Sequence, residues 1–219
     1  MYLWSADVSL YNEHGEGAID PTPVVSMVGL IDHADKVTRS TVEEAGLELL
    51  LLGGLPDELG GSHYLQTRYN KKEGTCPKVN LSAEKALQDL LISQIEENKI
   101  TAAHDIAEGG LLVCLSEMLF KETGLGATVS LADHGPSDRL DALLFGESQG
   151  RVIIAVKKDD VNAILDAAKE ANLSAISLGS SNNSGKLKVE VAGSVVLDAD
   201  VSGLKNAWER AIPDHMELA

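Results

Sequence analysis

With 18 Lys and Arg against 34 Asp and Glu, this 219-residue chain carries a formal charge of −16 and offers no basic face for neutralising phosphates. That argues against nucleic acid as a partner. Its 44% hydrophobic content suits a sizeable core, and an aromatic share of only 4% leaves that core to Leu, Val, Ile and Ala, as in helices layered on a sheet.

Near its start the chain carries VSLYNEHGEGAIDPTPVV, residues 8–25, a polar stretch with the look of a ligand-facing loop. PVVSMVGLID, residues 23–32, is apolar and β-branched between Pro23 and an Asp-rich segment, and reads as a buried strand. The composition changes near residue 40, where a domain boundary is placed. Leu49 to Leu52 form a short interior strand stopped by Gly53 and Gly54. From residue 80 to 98 Leu87, Leu90, Leu91, Gln94 and Ile95 repeat at helical spacing, with Asn80 or Ser82 as the N-cap. ITAAHDI is a strand entering a turn, and EGGLLVCLSEMLFKETG is a helix expected to close at Gly124. ATVSL is a strand, SDRLDALLF a short helix and RVIIAV a buried strand. Asp159 is expected to cap a helix reaching about residue 171. SAISLGS, KLKVEV and SVVLD are three short strands, the first two joined by an NNSG turn, and a last helix carries Trp208. This alternation predicts an α/β fold of α+β character, a mixed sheet flanked by helices.

Cys76 and Cys114 are too far apart for a short metal-ligand spacing and read as free thiols in a reducing compartment. The N-terminus has no signal-like run, and no stretch approaches the roughly 20 apolar residues of a membrane span. The expectation is a soluble cytoplasmic protein with no membrane partner.

The strongest local signal is AAHDIAEGGLL, residues 102–112. A strand delivers His104 and Asp105 to its end, and Glu108, Gly109 and Gly110 open a helix whose first N–H groups lack internal partners. Glycines there admit a close ligand, and the helix dipole favours an anion. Asp105 and Glu108 could hold Mg²⁺ together with phosphate oxygens and water, or could simply cap the helix. LFGESQGRVIIAV repeats the arrangement with Glu147, Ser148 and Gln149 before a strand, a pattern that also suits a plain turn. In LPDELGGSHYLQ the glycines of Gly60-Gly61-Ser62-His63 lack the Lys-Ser/Thr ending of a phosphate loop, and a Gly-rich turn explains them better than a catalytic Ser-His pair.

Together, VSLYNE, PTPVVSMVGLI, LGGSHYL, AHDIAEGGLLVCLSEM and FGESQGRVII, in this order, resemble the C-terminal half of phosphoribosylformylglycinamidine synthase subunit II, in the aminoimidazole ribonucleotide synthetase superfamily. The resemblance implies that residues 1–40 are the remnant of a second N-type domain and residues 41–219 a second C-type domain. It implies an ATP- and Mg²⁺-dependent ligase of purine biosynthesis that turns formylglycinamide ribonucleotide and glutamine-derived ammonia into the amidine, ADP and phosphate. Implied partners are the missing N-terminal half, a glutaminase subunit and a small bridging subunit, with self-association of the isolated chain.

Carried over by motif, Ser9, Tyr11 and Asn12 would face the ribonucleotide. His104, Glu108, Gly109 and Gly110 with Glu147, Ser148 and Gln149 would line a substrate or nucleotide site, and Asp105 would touch metal. No residue of this chain matches the family's catalytic histidine, so the chain alone is expected to be inactive. Ser5-Ala6-Asp7 departs from the glycine-rich family pattern: Ala6 is less free than glycine, and Asp7 would repel a phosphate. The alternative is a non-catalytic dimerisation or docking module of the same fold.

Overall fold

The computed structural model describes residues 2–7, 13–15, 17–19, 24–31, 33–121, 124–131 and 139–217. The chain divides into two units, residues 1–37 and 38–219. In the first, β1 (Tyr2–Asp7), β2 (Glu13–His14), β3 (Gly17–Ala18) and β4 (Val24–Val28) form two antiparallel pairs, β1 with β4 and β2 with β3. Ser9, Tyr11 and Asn12 lie outside the described residues.

The apolar run VVSMV is a strand as expected, but it is not buried. Val25, Met27 and Val28 are 58%, 56% and 60% exposed. β1 is its one strand partner among the described residues. An apolar run reports a preference for burial; the cover must come from elsewhere, and among the described residues of this unit no second layer supplies it.

The second unit holds β5 (Glu48–Leu52), α1 (His63–Tyr69), α2 (Leu81–Glu96), β6 (Ile100–Asp105), α3 (Gly110–Glu117), β7 (Gly126–Leu131), α4 (Leu140–Phe145), β8 (Val152–Val156), α5 (Val161–Glu170), β9 (Ala175–Asn182), β10 (Lys186–Val191), β11 (Ser194–Asp200) and α6 (Val201–Glu217). Its strands form one mixed sheet in the order β11-β10-β7-β9-β5-β8-β6. Only the β10–β7 pairing is parallel; the remaining neighbours run antiparallel.

The sequence pattern of each strand follows its position in the layers. On β5, Leu49 and Leu51 enter one core with Leu111, Leu115 and Met118, while Leu50 and Leu52 enter a second with Leu87, Leu90 and Ile164. Both faces of this strand are covered, so it reads as an unbroken leucine run. Each leucine so buried contributes roughly 1.5–3 kcal/mol. On β7, by contrast, Ala127, Val129 and Leu131 are buried while Thr128 and Ser130 face outward, the alternation of a strand covered on one side.

Asn80 caps α2, its Oδ1 accepting from the N–H groups of Ser82 and Ala83. Two expected helix boundaries shift. α3 ends at Glu117, and Gly124 adopts a left-handed φ of 84° beyond it, in the approach to β7 rather than at the helix end. Asp159 lies in a 3₁₀ turn, Lys158–Asp160, that leads into α5, and makes no side-chain cap.

Cys76 is exposed and Cys114 buried. Burial, with the Asp105 and Glu117 carboxylates adding to it, pushes the Cys114 thiol far above its ordinary range. Thiolate is the reactive form. A disulfide reagent is therefore expected to titrate one thiol in the native chain and a second only in denaturant; rapid native labelling of Cys114 would contradict this packing.

Candidate functional site

The antiparallel registers bring one end of four neighbouring strands, β9, β5, β8 and β6, together. Leu52 pairs with Val152 and with Ala175, and Asp105 also pairs with Val152. The C-terminal ends of β5 and β6 thus meet the N-terminal ends of β8 and β9 on one edge of the sheet. The loops leaving that edge carry LGGSHYL, HDIAEGG and FGESQG, segments far apart in the chain.

Glu147 ties the three together. Its Oε1 accepts from the Gly109 N–H and from the His63 N–H, each at 2.9 Å, and His63 Nδ1 lies 3.3 Å away. The anion expected at the start of α3 is therefore present, and it is the chain's own carboxylate. The Glu147 side chain is only 16% exposed. Close approach at the glycines also serves packing within the protein. Gly110 has φ of 76°, and a Cβ there would meet the Phe145 and Gly146 backbone at 2.7 Å.

Two residues that sequence reasoning did not single out hold this loop. Ser148 Oγ donates to Glu58 Oε2 at 2.7 Å, and Glu58 Oε1 accepts from the Lys78 N–H. Arg151, only 3% exposed, donates from Nε to the Ser148 carbonyl at 3.0 Å and from Nη2 to the Gly146 carbonyl at 2.6 Å. Burial lowers its pKa to about 10, with the neighbouring Cys114 and Glu58 acting in the opposite direction. The guanidinium remains charged at neutral pH. A sequence signal for Arg151 existed: Val152–Val156 is apolar at every position, so both faces of β8 are covered and a residue one step earlier must also point into protein.

β6 separates two further candidates. Ala102 belongs to the α3-side core and Ala103 to the α2 side, so the alternation sends His104 toward α3 and Asp105 toward α2. His104 Nδ1 donates to the Asp105 carbonyl at 2.8 Å. Its Nε2 lies 3.5 Å from Glu117 Oε2, and Glu117 Oε1 accepts from Trp208 Nε1 at 2.9 Å. Asp105 has a side chain 77% exposed, with Oδ1 3.7 Å from His104 Nδ1. It lines a cleft of about 240 Å³ with Glu84, Leu87, Gln88, Gln149 and Gly150. Glu108 is exposed.

Of the residues carried over by motif, Glu147 and Ser148 are thus engaged within the protein, and Gly109 and Gly110 pack against it. Asp105 and Gln149 face the open cleft. Ser62, in LGGSHYL, is the N-cap of α1, its Oγ accepting from the Leu65 N–H at 3.4 Å. Among the described residues, no group of three His, Cys, Asp or Glu side chains is placed to share a metal ion. Nor is any helix among them long and apolar enough to cross a membrane.

Residues 44–192, which contain the contacts of Glu147, Ser148, Arg151 and Asp105 but not Trp208, match the family of the AIR synthase related protein, C-terminal domain. The chain belongs to this family. The AIR synthase-related fold accounts for the mixed sheet and its helical layers. Within the same group of proteins, the chain is 39% identical over 95% of its length to phosphoribosylformylglycinamidine synthase subunit PurL of Salinibacter ruber, and 40% identical over 94% to that of Moorella thermoacetica. It spans 28% of the length of each. Among solved structures, Thermotoga maritima PurL complexed with FGAR superposes with a TM-score of 0.67 at 22% identity, covering 78% of this chain and 30% of that one. Escherichia coli HypE, a hydrogenase maturation protein, gives 0.53 at 20% identity, covering 75% and 51%. At these identities the structural likenesses establish the AIR synthase-related fold alone.

Proposed function

We propose that this chain supplies a C-type domain to a phosphoribosylformylglycinamidine synthase, with residues 1–40 belonging to the preceding N-type domain and residues 41–219 to the C-type domain. The observation that carries this reading is the 39% identity to the Salinibacter subunit across 95% of the chain. The reaction joins formylglycinamide ribonucleotide, ATP and glutamine-derived ammonia; phosphorylation of the amide oxygen creates the group that ammonia displaces. In this reading Asp105 and Gln149 are the side chains offered to ligand, and Ser9, Tyr11 and Asn12 face the ribonucleotide. Mg²⁺ takes one or two carboxylates alongside water and phosphate oxygens, and the exposed Asp105 carboxylate is suited to supply one. Glu147 and Ser148 shape the loop that presents Gln149. A glutaminase and a small bridging subunit complete the assembly, and the exposed apolar side chains of β4 favour association with the remainder of the enzyme or with another copy.

A chimera tests the reading. This chain is put in place of the matching segment of the Salinibacter subunit and assayed for ATP- and ammonia-dependent amidine formation, beside the chain alone. The chimera is expected to turn over and the isolated chain is not. A folded but inactive chimera would count against the assignment, and clear turnover by the isolated chain would sink its dependence on other domains.

A further inference from the structure

A larger cavity, about 410 Å³, shares Glu84, Gln149, Gly150 and Arg151 with the cleft that Asp105 lines. Lys78 and Asn80 stand at the approach to α2, Glu84 in its first turn, and Asn172 and Ser174 between α5 and β9. Leu55, Pro56 and Leu173 give it an apolar wall. Its size lies in the range of small-molecule sites.

Part of the surface charge of this molecule is paired, as in Lys99 with Glu97, Lys186 with Asp198 and Lys188 with Glu190. Lys78 and Glu84 both line this cavity, yet among the described residues neither side chain makes a hydrogen bond or ion pair, with the other or with anything else. The same holds for the side chains of Gln149, Asn172 and Ser174. Glu84 is half-buried, and its placement depends on an absent side chain: a Cβ on Gly150 would lie 3.0 Å from Glu84 Oε1. Gly53 allows the loops of the cavity floor to meet, since a Cβ there would strike the Gly150 carbonyl at 2.3 Å. The backbone thus holds open a space with an unpaired cation and an unpaired anion on its border, flanked by amide and hydroxyl groups and an apolar wall.

We propose that this cavity binds a small zwitterion of the α-amino-acid class with an apolar side chain. Lys78 receives the carboxylate, Glu84 the ammonium, and Leu55, Pro56 and Leu173 the side chain. A neutral ligand would meet neither charge and a simple anion or cation only one, so a ligand bearing both groups is favoured. This inference does not rest on the ligase reading, although Glu84 and Gln149 also line the cleft that Asp105 faces.

The test is calorimetry on the whole chain with L-leucine and three derivatives: leucinamide, N-acetyl-leucine and N-acetyl-leucinamide. L-Leucine is expected to bind with a dissociation constant of about 1 mM or tighter, and loss of either charge to weaken binding about tenfold or more. Lys78→Ala should erase the preference for leucine over leucinamide, and Glu84→Gln the preference over N-acetyl-leucine. Both side chains are at the surface, so the variants should melt as the parent does. The proposal is overturned by no leucine binding up to about 20 mM. Equal binding of the doubly capped compound, or discrimination unchanged in either variant, would overturn it as well.

Discussion

Arg151→Met is expected to lower the stability of the chain by about 2–4 kcal/mol, read as a fall in the urea midpoint at unchanged slope. Methionine keeps much of the stem volume but donates no hydrogen bond. The Ser148 and Gly146 carbonyls lose their guanidinium partners in a place where Arg151 is only 3% exposed. A buried acceptor stripped of its donor costs about 1–3 kcal/mol, and two are stripped here. Against a total of about 5–15 kcal/mol for a typical domain the loss is large. Arg151→Lys should recover only part of it, because one ammonium lacks the planar fork that reaches two carbonyls at once. A midpoint shift worth less than about 1 kcal/mol for the methionine variant would show that water replaces the guanidinium and that the loop is held by other means.

Glu147→Ala should cost about 2–3 kcal/mol, and its effect should be concentrated at two distant places. The Gly109 and His63 N–H groups both donate to Glu147 Oε1, and truncation leaves them without that acceptor. Amide exchange at Gly109 and His63 is expected to quicken together, while amides of β7 and β10 keep their protection. Glu147→Gln separates hydrogen bonding from charge. Its carboxamide oxygen can accept from the same two N–H groups, so this variant should lose less than half of what the alanine variant loses. Equal losses in the two variants would mean that the charge, rather than the acceptor, holds the segments together.

The layered sheet was largely legible from local pattern. Leu49–Leu52 and Val152–Val156 are apolar throughout because both their faces are covered, and KLKVEV alternates because its strand is covered on one face. The motif segments were legible too, but their mutual contacts were not. Glu147 reaches Gly109 across 38 positions and His63 across 84, and Ser148 reaches Glu58 across 90. No period or spacing encodes such contacts. They follow from the registers that bring the ends of β5, β6, β8 and β9 to one edge. The same geometry engages Glu147 and Ser148 of the GESQ loop within the protein and leaves Gln149 exposed. β4 failed in the opposite direction, since its apolar composition gave no information about whether a covering layer is present.

The strand order carries a consequence for how the protein comes into being. β5 is made first among the seven strands of its sheet but lies in its interior, between β8 and β9. Leu52 has no ladder partner until Val152 and Ala175 have been synthesised. At cellular elongation rates that delay is on the order of ten seconds. Throughout it, an uncharged four-leucine run emerges from the ribosome with nothing to pair against, the kind of segment that chaperones bind and that seeds aggregation. Pairing of β5 on both its edges is thus timed by the arrival of β9, and nascent chains stalled before Ala175 should be retained by holdase chaperones while chains stalled after α6 are released.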